Sequence, residues 1–182
     1  MNSDPTDVLL PLSRTRQVRA FRPTPLAPEV LDAIADVARW TGSSENSQPW
    51  RFIVITESST LKAIHAAGLP QTRGLATAPA AIAIVLPADP DRAVHDAYDD
   101  GRVAERILVA AAMLGIGAGI SWIRTDVRPA IATILGLPAD WMIRSVVSLG
   151  IPTAAAREPK SAPGEARRPR EEVVFRERWP SD

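Results

Sequence analysis

The sequence predicts one domain in which strands and helices are interspersed, and three observations carry that expectation. The chain has 182 residues, enough for one real core and short of an obvious second domain. Residues 51–56 (RFIVIT), 80–86 (AAIAIVL) and 144–149 (RSVVSL) are β-branched or continuously apolar runs of strand length. Around them lie segments whose apolar residues recur at helical spacing. No internal repeat is visible.

Taken in order, Ala27-Pro28-Glu29 opens a helix with Pro in its first turn, and Val30, Leu31, Ile34, Val37 and Ala38 fall on one face as far as Trp40. That face is expected in the core. Strand 51–56 follows, then a helix over 58–67 closed by Gly68, then strand 80–86, whose unbroken apolar run reads as buried. Residues 91–114 form a long helix that starts charged and turns wholly apolar after Arg106, so its second half is expected to be buried on all sides. Gly115 stops it. A short strand over 117–123, a helix capped by Thr125 and running to Leu135, and strand 144–149 before Gly150 complete the core. From Ile151 the chain turns to Pro, Arg and Glu with a late apolar patch, Val173, Val174, Phe175 and Trp179. This stretch, 151–182, reads as an extended arm that docks on something.

Composition narrows the function. With 21 basic and 21 acidic residues the formal charge is zero, so the total points neither to nucleic acid nor to an anionic membrane. The absence of Cys excludes disulfides, thiolate zinc sites, iron–sulfur clusters and thiol nucleophiles. The first residues, MNSDPTDVLLPLSRTRQ, lack the long apolar run of a signal peptide, and residues 107–120 fall short of the ~20 apolar residues of a membrane span. The chain is therefore read as soluble and, by default, cytoplasmic.

Acid–base and nucleophilic groups are scarce. His65 and His95 stand in no suggestive motif and read as surface or packing residues; Asp99-Asp100 are adjacent on a helix, face apart and read as a solvated face. No metal-ligating pattern stands out. So few groups require a cofactor to carry any reaction. The run Gly115-Ile116-Gly117-Ala118-Gly119 fails as a dinucleotide fingerprint, because it follows a helix and opens a strand. It is either a helix C-cap or a place where bare backbone approaches a flat ligand. Basic clusters lie at Arg14, Arg16, Arg19 and Arg22, at Arg102 and Arg106, and at Arg167, Arg168 and Arg170. Each alone reads as a solvated face.

The stretch TGSSENSQPWRF from Thr41 to Phe52 puts small polar residues and an Asn directly before a strand. Alone it reads as an Asx-type turn. With RTRQVRAF and PTPLAPEVL before it, AERILVAAAMLGIGAG and SLGIP after it, and ARRPREEVVF and ERW near the end, it resembles in order and spacing the FMN-dependent nitroreductase family, from Ser13 to Trp179. Two positions depart from the family pattern: Thr15 stands at its first Arg and Gln17 at its Ser.

The resemblance implies an α+β fold, a three-layer sandwich with a central mixed, mostly antiparallel sheet flanked by helices. It further implies a single FMN-binding domain over 1–182, an obligate homodimer with active sites at its interface, and a C-terminal arm swapped onto the partner subunit. It assigns Arg16 to the phosphate or ribityl chain with Arg14 as a substitute, Gln17 to the same motif, and Arg19 to the N1/C2-carbonyl side of the isoalloxazine. Ser43, Ser44 and Asn46 would reach the flavin held mainly by the other subunit. Arg167, with Arg168 beside it, matches a late phosphate-binding position. Ile120, Ser121 and Trp122 match the backbone that packs on the ring and donates towards N5, and Gln71 falls at a polar contact.

The implied reaction is ping-pong: NADH or NADPH gives hydride to the flavin, leaves, and a nitroaromatic, quinone or flavin-like small-molecule acceptor takes the electrons. No side chain is assigned as catalytic; Arg19 tunes the flavin. Two alternatives stay open. One is a specialised flavin enzyme of the same fold, a dehydrogenase, an oxidase or a deazaflavin-dependent enzyme; the other is a catalytically weak flavin-binding homodimer.

Overall fold

In the computed structural model, which describes residues 4–162 and 165–180, four strands form one sheet. They are β1 (Arg51–Ile55), β2 (Ala80–Pro87), β3 (Gly117–Trp122) and β4 (Trp141–Gly150), in the order β1-β2-β4-β3. All three pairings are antiparallel. The parallel element of the mixed sheet that the sequence led one to expect is reduced to a single bridge, Gln17 to Ala118.

The layering follows from side-chain alternation along the central strand. Ile82, Ile84 and Leu86 of β2 join the cluster under α2 (Pro28–Arg39) and α4 (Ala93–Met113), with Leu31, Ile34, Val103 and Ile107. Ala81, Ala83 and Val85 face the other way, towards α3 (Ser58–Ala67) and α5 (Arg128–Leu135), with Leu61, Ile64 and Ile131. A strand covered by helices on both faces needs apolar residues at every position, which is why 80–86 reads as an unbroken run. Each fully enclosed Leu or Ile contributes roughly 1.5–3 kcal/mol, so a core on each face suffices to hold the three layers.

Several local expectations need correction. An additional helix, α1 (Pro5–Arg14), is capped by Asp4, whose carboxylate accepts the Thr6 N–H at 2.8 Å. The end of α4 is not enclosed: Met113 and Leu114 are 77% and 52% exposed, with none of the described residues covering that side. Thr125 does not cap α5; residues Thr125–Val127 make a separate 3-10 turn and the helix starts at Arg128, with Pro129 in its first turn. The arm contains a short helix, α6 (Ala154–Arg157), and a 3-10 turn at Arg170–Glu172, and its apolar patch lies exposed, with Trp179 edge-on to Phe175 at 4.9 Å. Among the described residues no helix is long and apolar enough to cross a membrane.

Candidate functional site

β3 lies at the edge of the sheet, so one side of its backbone is open to another segment. The 16–19 segment takes that place. The Val18 N–H donates to the Ala118 carbonyl at 2.7 Å, and the Gln17 side-chain carbonyl accepts the Ile120 N–H at 3.2 Å. Val18 and Phe21 are buried beside Ala78 and peg the segment down, while Arg16, Gln17 and Arg19 remain accessible. The same Gln17 oxygen accepts a second bond, from the Arg19 guanidinium at 2.7 Å. The Gly-rich run serves this approach: a Cβ at Gly119 would stand 2.1 Å from the Val18 carbonyl oxygen. Bare backbone at Gly119 thus admits the chain's own N-terminal segment, and Gly115 (φ 71) closes the preceding helix.

A 3-10 helix at Gln71–Ala76 flanks the same edge. It brings Arg73 close enough to Arg19 that burial first, and the Arg73 charge second, hold the Arg19 guanidinium below its ordinary value. Arg73 was not singled out in the sequence, where QTRGL carries no distinguishing pattern. Gln71, which opens the same 3-10 helix, has a buried Oε1 with no hydrogen-bond partner. An enclosed amide oxygen without a donor is costly.

Beside the segment, Arg14, Arg16 and Arg157 line a cavity of about 330 Å³ together with Gly117 and Pro152. Arg16 donates to the Arg157 carbonyl, which ties α6 to the N-terminal segment. Arg157 was also missed by sequence reasoning, since it lies in the arm outside every motif. Arg167 and Arg168 are not brought here: Arg167 donates to the Ala166 carbonyl at 2.7 Å, and Arg168 stands 3.9 Å from Glu172.

The 43–46 loop precedes β1, at the opposite edge of the sheet from β3. Three strand spacings, roughly 15 Å, separate the two edges, so within one chain Ser43, Ser44 and Asn46 do not join Arg16, Gln17 and Arg19. Glu45, Asn46 and Gln48 all take positive φ, at 53°, 54° and 45°, a conformation that costs a non-Gly residue energy and is tolerated best by Asn. Buried Trp50, stacked on Phe52 at 6.4 Å, fixes the exit into the strand. Of the β3 residues singled out, Ile120 is half-buried beside Gln17, Ser121 is buried, and Trp122 is 52% exposed at the strand end.

The first half of α4 overturns another expectation. Asp96, Asp99 and Asp100 are all buried. Asp99 and Asp100 do face apart, but towards the 43–46 loop and β4 and not towards solvent: Asp99 accepts the Ser44 N–H at 3.4 Å, and Ser145 donates to Asp100 at 2.6 Å. Burial pushes the Asp100 carboxyl up to about 6 against the opposing pull of Ser145 and Arg144. Among the described residues no group of three side chains could hold a metal.

The family model of the nitroreductase family matches residues 12–73, the span that holds the 16–19 segment, the 43–46 loop and Gln71. A protein of Archaeoglobus fulgidus, provisionally named NADH dehydrogenase/NAD(P)H nitroreductase, is 34% identical over 145 residues, covering 75% of this chain and 80% of its own. A crystal structure from Parabacteroides distasonis under the same provisional name superposes with a TM-score of 0.79 at 22% identity, covering 95% and 99% of the two chains. An FMN-dependent nitroreductase from Clostridium difficile superposes at 0.76 with 24% identity, covering 91% and 97%. The three-layer α+β fold is shared with these structures, and by its sequence relationship the chain belongs to the nitroreductase family of oxidoreductases.

Proposed function

We propose that the chain is an NAD(P)H-dependent flavoenzyme that binds FMN at the β3 edge and passes electrons to nitroaromatic, quinone or flavin-like acceptors by a ping-pong reaction. The observation that carries this reading is the gathering at that edge of Gln17, Arg19 and Arg73, with the partnerless buried oxygen of Gln71 on the same 3-10 helix as Arg73. Such a set suits an isoalloxazine, whose pyrimidine edge offers both donors and acceptors. An N–H on the ring would supply the donor that Gln71 lacks. The cationic cavity at Arg14, Arg16 and Arg157 suits a phosphate.

When bound, FMN supplies the hydride and electron transfer for which the side chains offer no acid–base set. The protein's share is binding and electrostatics. Arg16 and Arg14 would hold the phosphate; Gln17 orients Arg19 and occupies the Ile120 N–H; Arg19 and Arg73 would stabilise negative charge on the pyrimidine side. The 43–46 loop would complete the site on a partner subunit, since it leads into β1, at the opposite edge of the sheet from the β3 edge that the 16–19 segment occupies. The exposed Val173, Val174, Phe175 and Trp179 would be covered on that partner.

Fluorescence titration with FMN tests the reading. Saturable binding of one FMN per chain, weakened at least tenfold in an Arg14→Ala/Arg16→Ala variant, is expected. Absence of binding by the unmodified chain would remove the reading. Mixing an Asn46→Ala chain with an Arg16→Ala/Arg157→Ala chain should restore part of the FMN binding, because one site of each heterodimer is then intact.

A further inference from the structure

We infer that Arg92, Asp99, Arg102 and Arg106 are positioning residues that set the 43–46 loop, an inference that rests on that loop being a flavin contact. They form a ladder along one side of α4. The Arg106 guanidinium donates to the Trp40 carbonyl at 2.9 Å. Arg102 lies against Gly42 so closely that a Cβ there would be 2.9 Å from its Nη2. Asp99 accepts the Ser44 N–H at 3.4 Å, and Arg92 donates to the Ser47 hydroxyl oxygen at 3.2 Å. Positions 99, 102 and 106 share a helical face, and they meet Ser44, Gly42 and Trp40 in the opposite chain order.

The chemistry of the ladder is unusual for packing alone. Asp99 is 1% exposed, and its other oxygen stands 3.6 Å from Arg102. Asp99 is enclosed while the Arg102 side chain stays 43% exposed; an enclosed carboxylate costs stability unless it is paired and hydrogen-bonded, and here its partners are Arg102 and the Ser44 N–H of the loop. The positive φ angles at Glu45, Asn46 and Gln48 belong to a backbone that persists only where its surroundings dictate it. A side chain at position 42 would push the Arg102 guanidinium aside, a shift that flexible side chain can make.

The test uses Asp99→Asn, Arg102→Ala and Arg106→Ala, with hydrogen exchange of residues 40–47 in the FMN-free protein and FMN affinity as separate readouts. Arg106 is exposed, so its replacement leaves the core intact. Each variant is expected to raise exchange in 40–47 and to weaken FMN binding about tenfold, and Arg106→Lys, which keeps a donor for the Trp40 carbonyl, to restore both. Unchanged exchange in all three variants overturns the ladder. Raised exchange with unchanged FMN affinity overturns its role towards the flavin. If the unmodified chain binds no FMN, the flavin reading itself falls, while the exchange arm still decides whether the ladder holds the loop.

Discussion

Gln17 and Ile120 are joined by a hydrogen bond from the Ile120 backbone N–H to the Gln17 side-chain oxygen, 3.2 Å long, and that oxygen also fixes the Arg19 guanidinium at 2.7 Å. A single amide oxygen thus ties the 16–19 segment to β3 and holds a cation beside that edge.

Arg19 is the residue expected to tune a bound flavin. Reduction places negative charge on the pyrimidine side of the ring, and a fixed guanidinium favours the reduced form. A charge-assisted hydrogen bond is worth roughly 1.5–3 kcal/mol, and for a two-electron couple about 1.4 kcal/mol corresponds to ~30 mV. Arg19→Ala should lower the FMN midpoint potential by roughly 30–65 mV with FMN still bound. Dye equilibration on variant and parent measures it, and equal potentials would mean that Arg19 does not face the ring.

Gly119→Ala places a methyl 2.1 Å from the Val18 carbonyl oxygen. The methyl position is fixed by the backbone and its neighbour is a backbone oxygen, so the clash cannot be relieved by a rotamer change. Overpacking costs typically about 1–3 kcal/mol, and the upper end is expected. The melting temperature should fall and FMN affinity should fall with it, since the 16–19 segment is pushed off β3. Retention of both would show that the segment is not seated as described.

Much of the fold was legible because the signals were local. The unbroken run at 80–86 and the Gly68 stop gave boundaries that match β2 and α3 within a residue. What local signals could not carry was set by packing. Asp99 and Asp100 read as solvated because nothing in the sequence places Ser44 or Ser145 opposite them. Met113 and Leu114 read as core because their apolar character does not say whether the covering surface belongs to the same chain. At the site, Gln17, Arg19 and Ile120 were found through motifs, whereas Arg73 and Arg157 were not, because they arrive from a loop and from the arm without any pattern around them.

Asp100 should leave a mark on the pH dependence of stability. Its carboxyl titrates at about 6 in the fold against an ordinary 3.8, so the folded chain binds this proton more tightly than the unfolded one. The stability this contributes is fully present below 3.8 and is lost as pH rises through about 6. That gap corresponds to roughly 3 kcal/mol. Asp100→Asn, fixed in the neutral form, should raise stability near pH 7.5 by roughly 1–3 kcal/mol and flatten the profile between pH 4 and 7. Denaturant melts of both proteins across that range measure it, and parallel profiles would show that Asp100 is not the titrating group.

Truncation after Ala156 removes Arg157 from the cationic cavity and the patch Val173, Val174, Phe175 and Trp179 from the arm. The product is expected to be monomeric in size-exclusion chromatography and to lose FMN. A dimeric truncation product that retains FMN would show that the arm serves neither purpose.

The central claim is that FMN held at the β3 edge accepts hydride from a nicotinamide. The direct measurement is the visible spectrum of the FMN-loaded protein under anaerobic conditions before and after addition of NADH and, separately, NADPH. Loss of the yellow flavin band with at least one of the two, and its return on adding a quinone or nitroaromatic acceptor, is the expected result. A bound flavin that stays yellow with both nicotinamides would contradict the claim and leave a flavin-binding protein without this reaction.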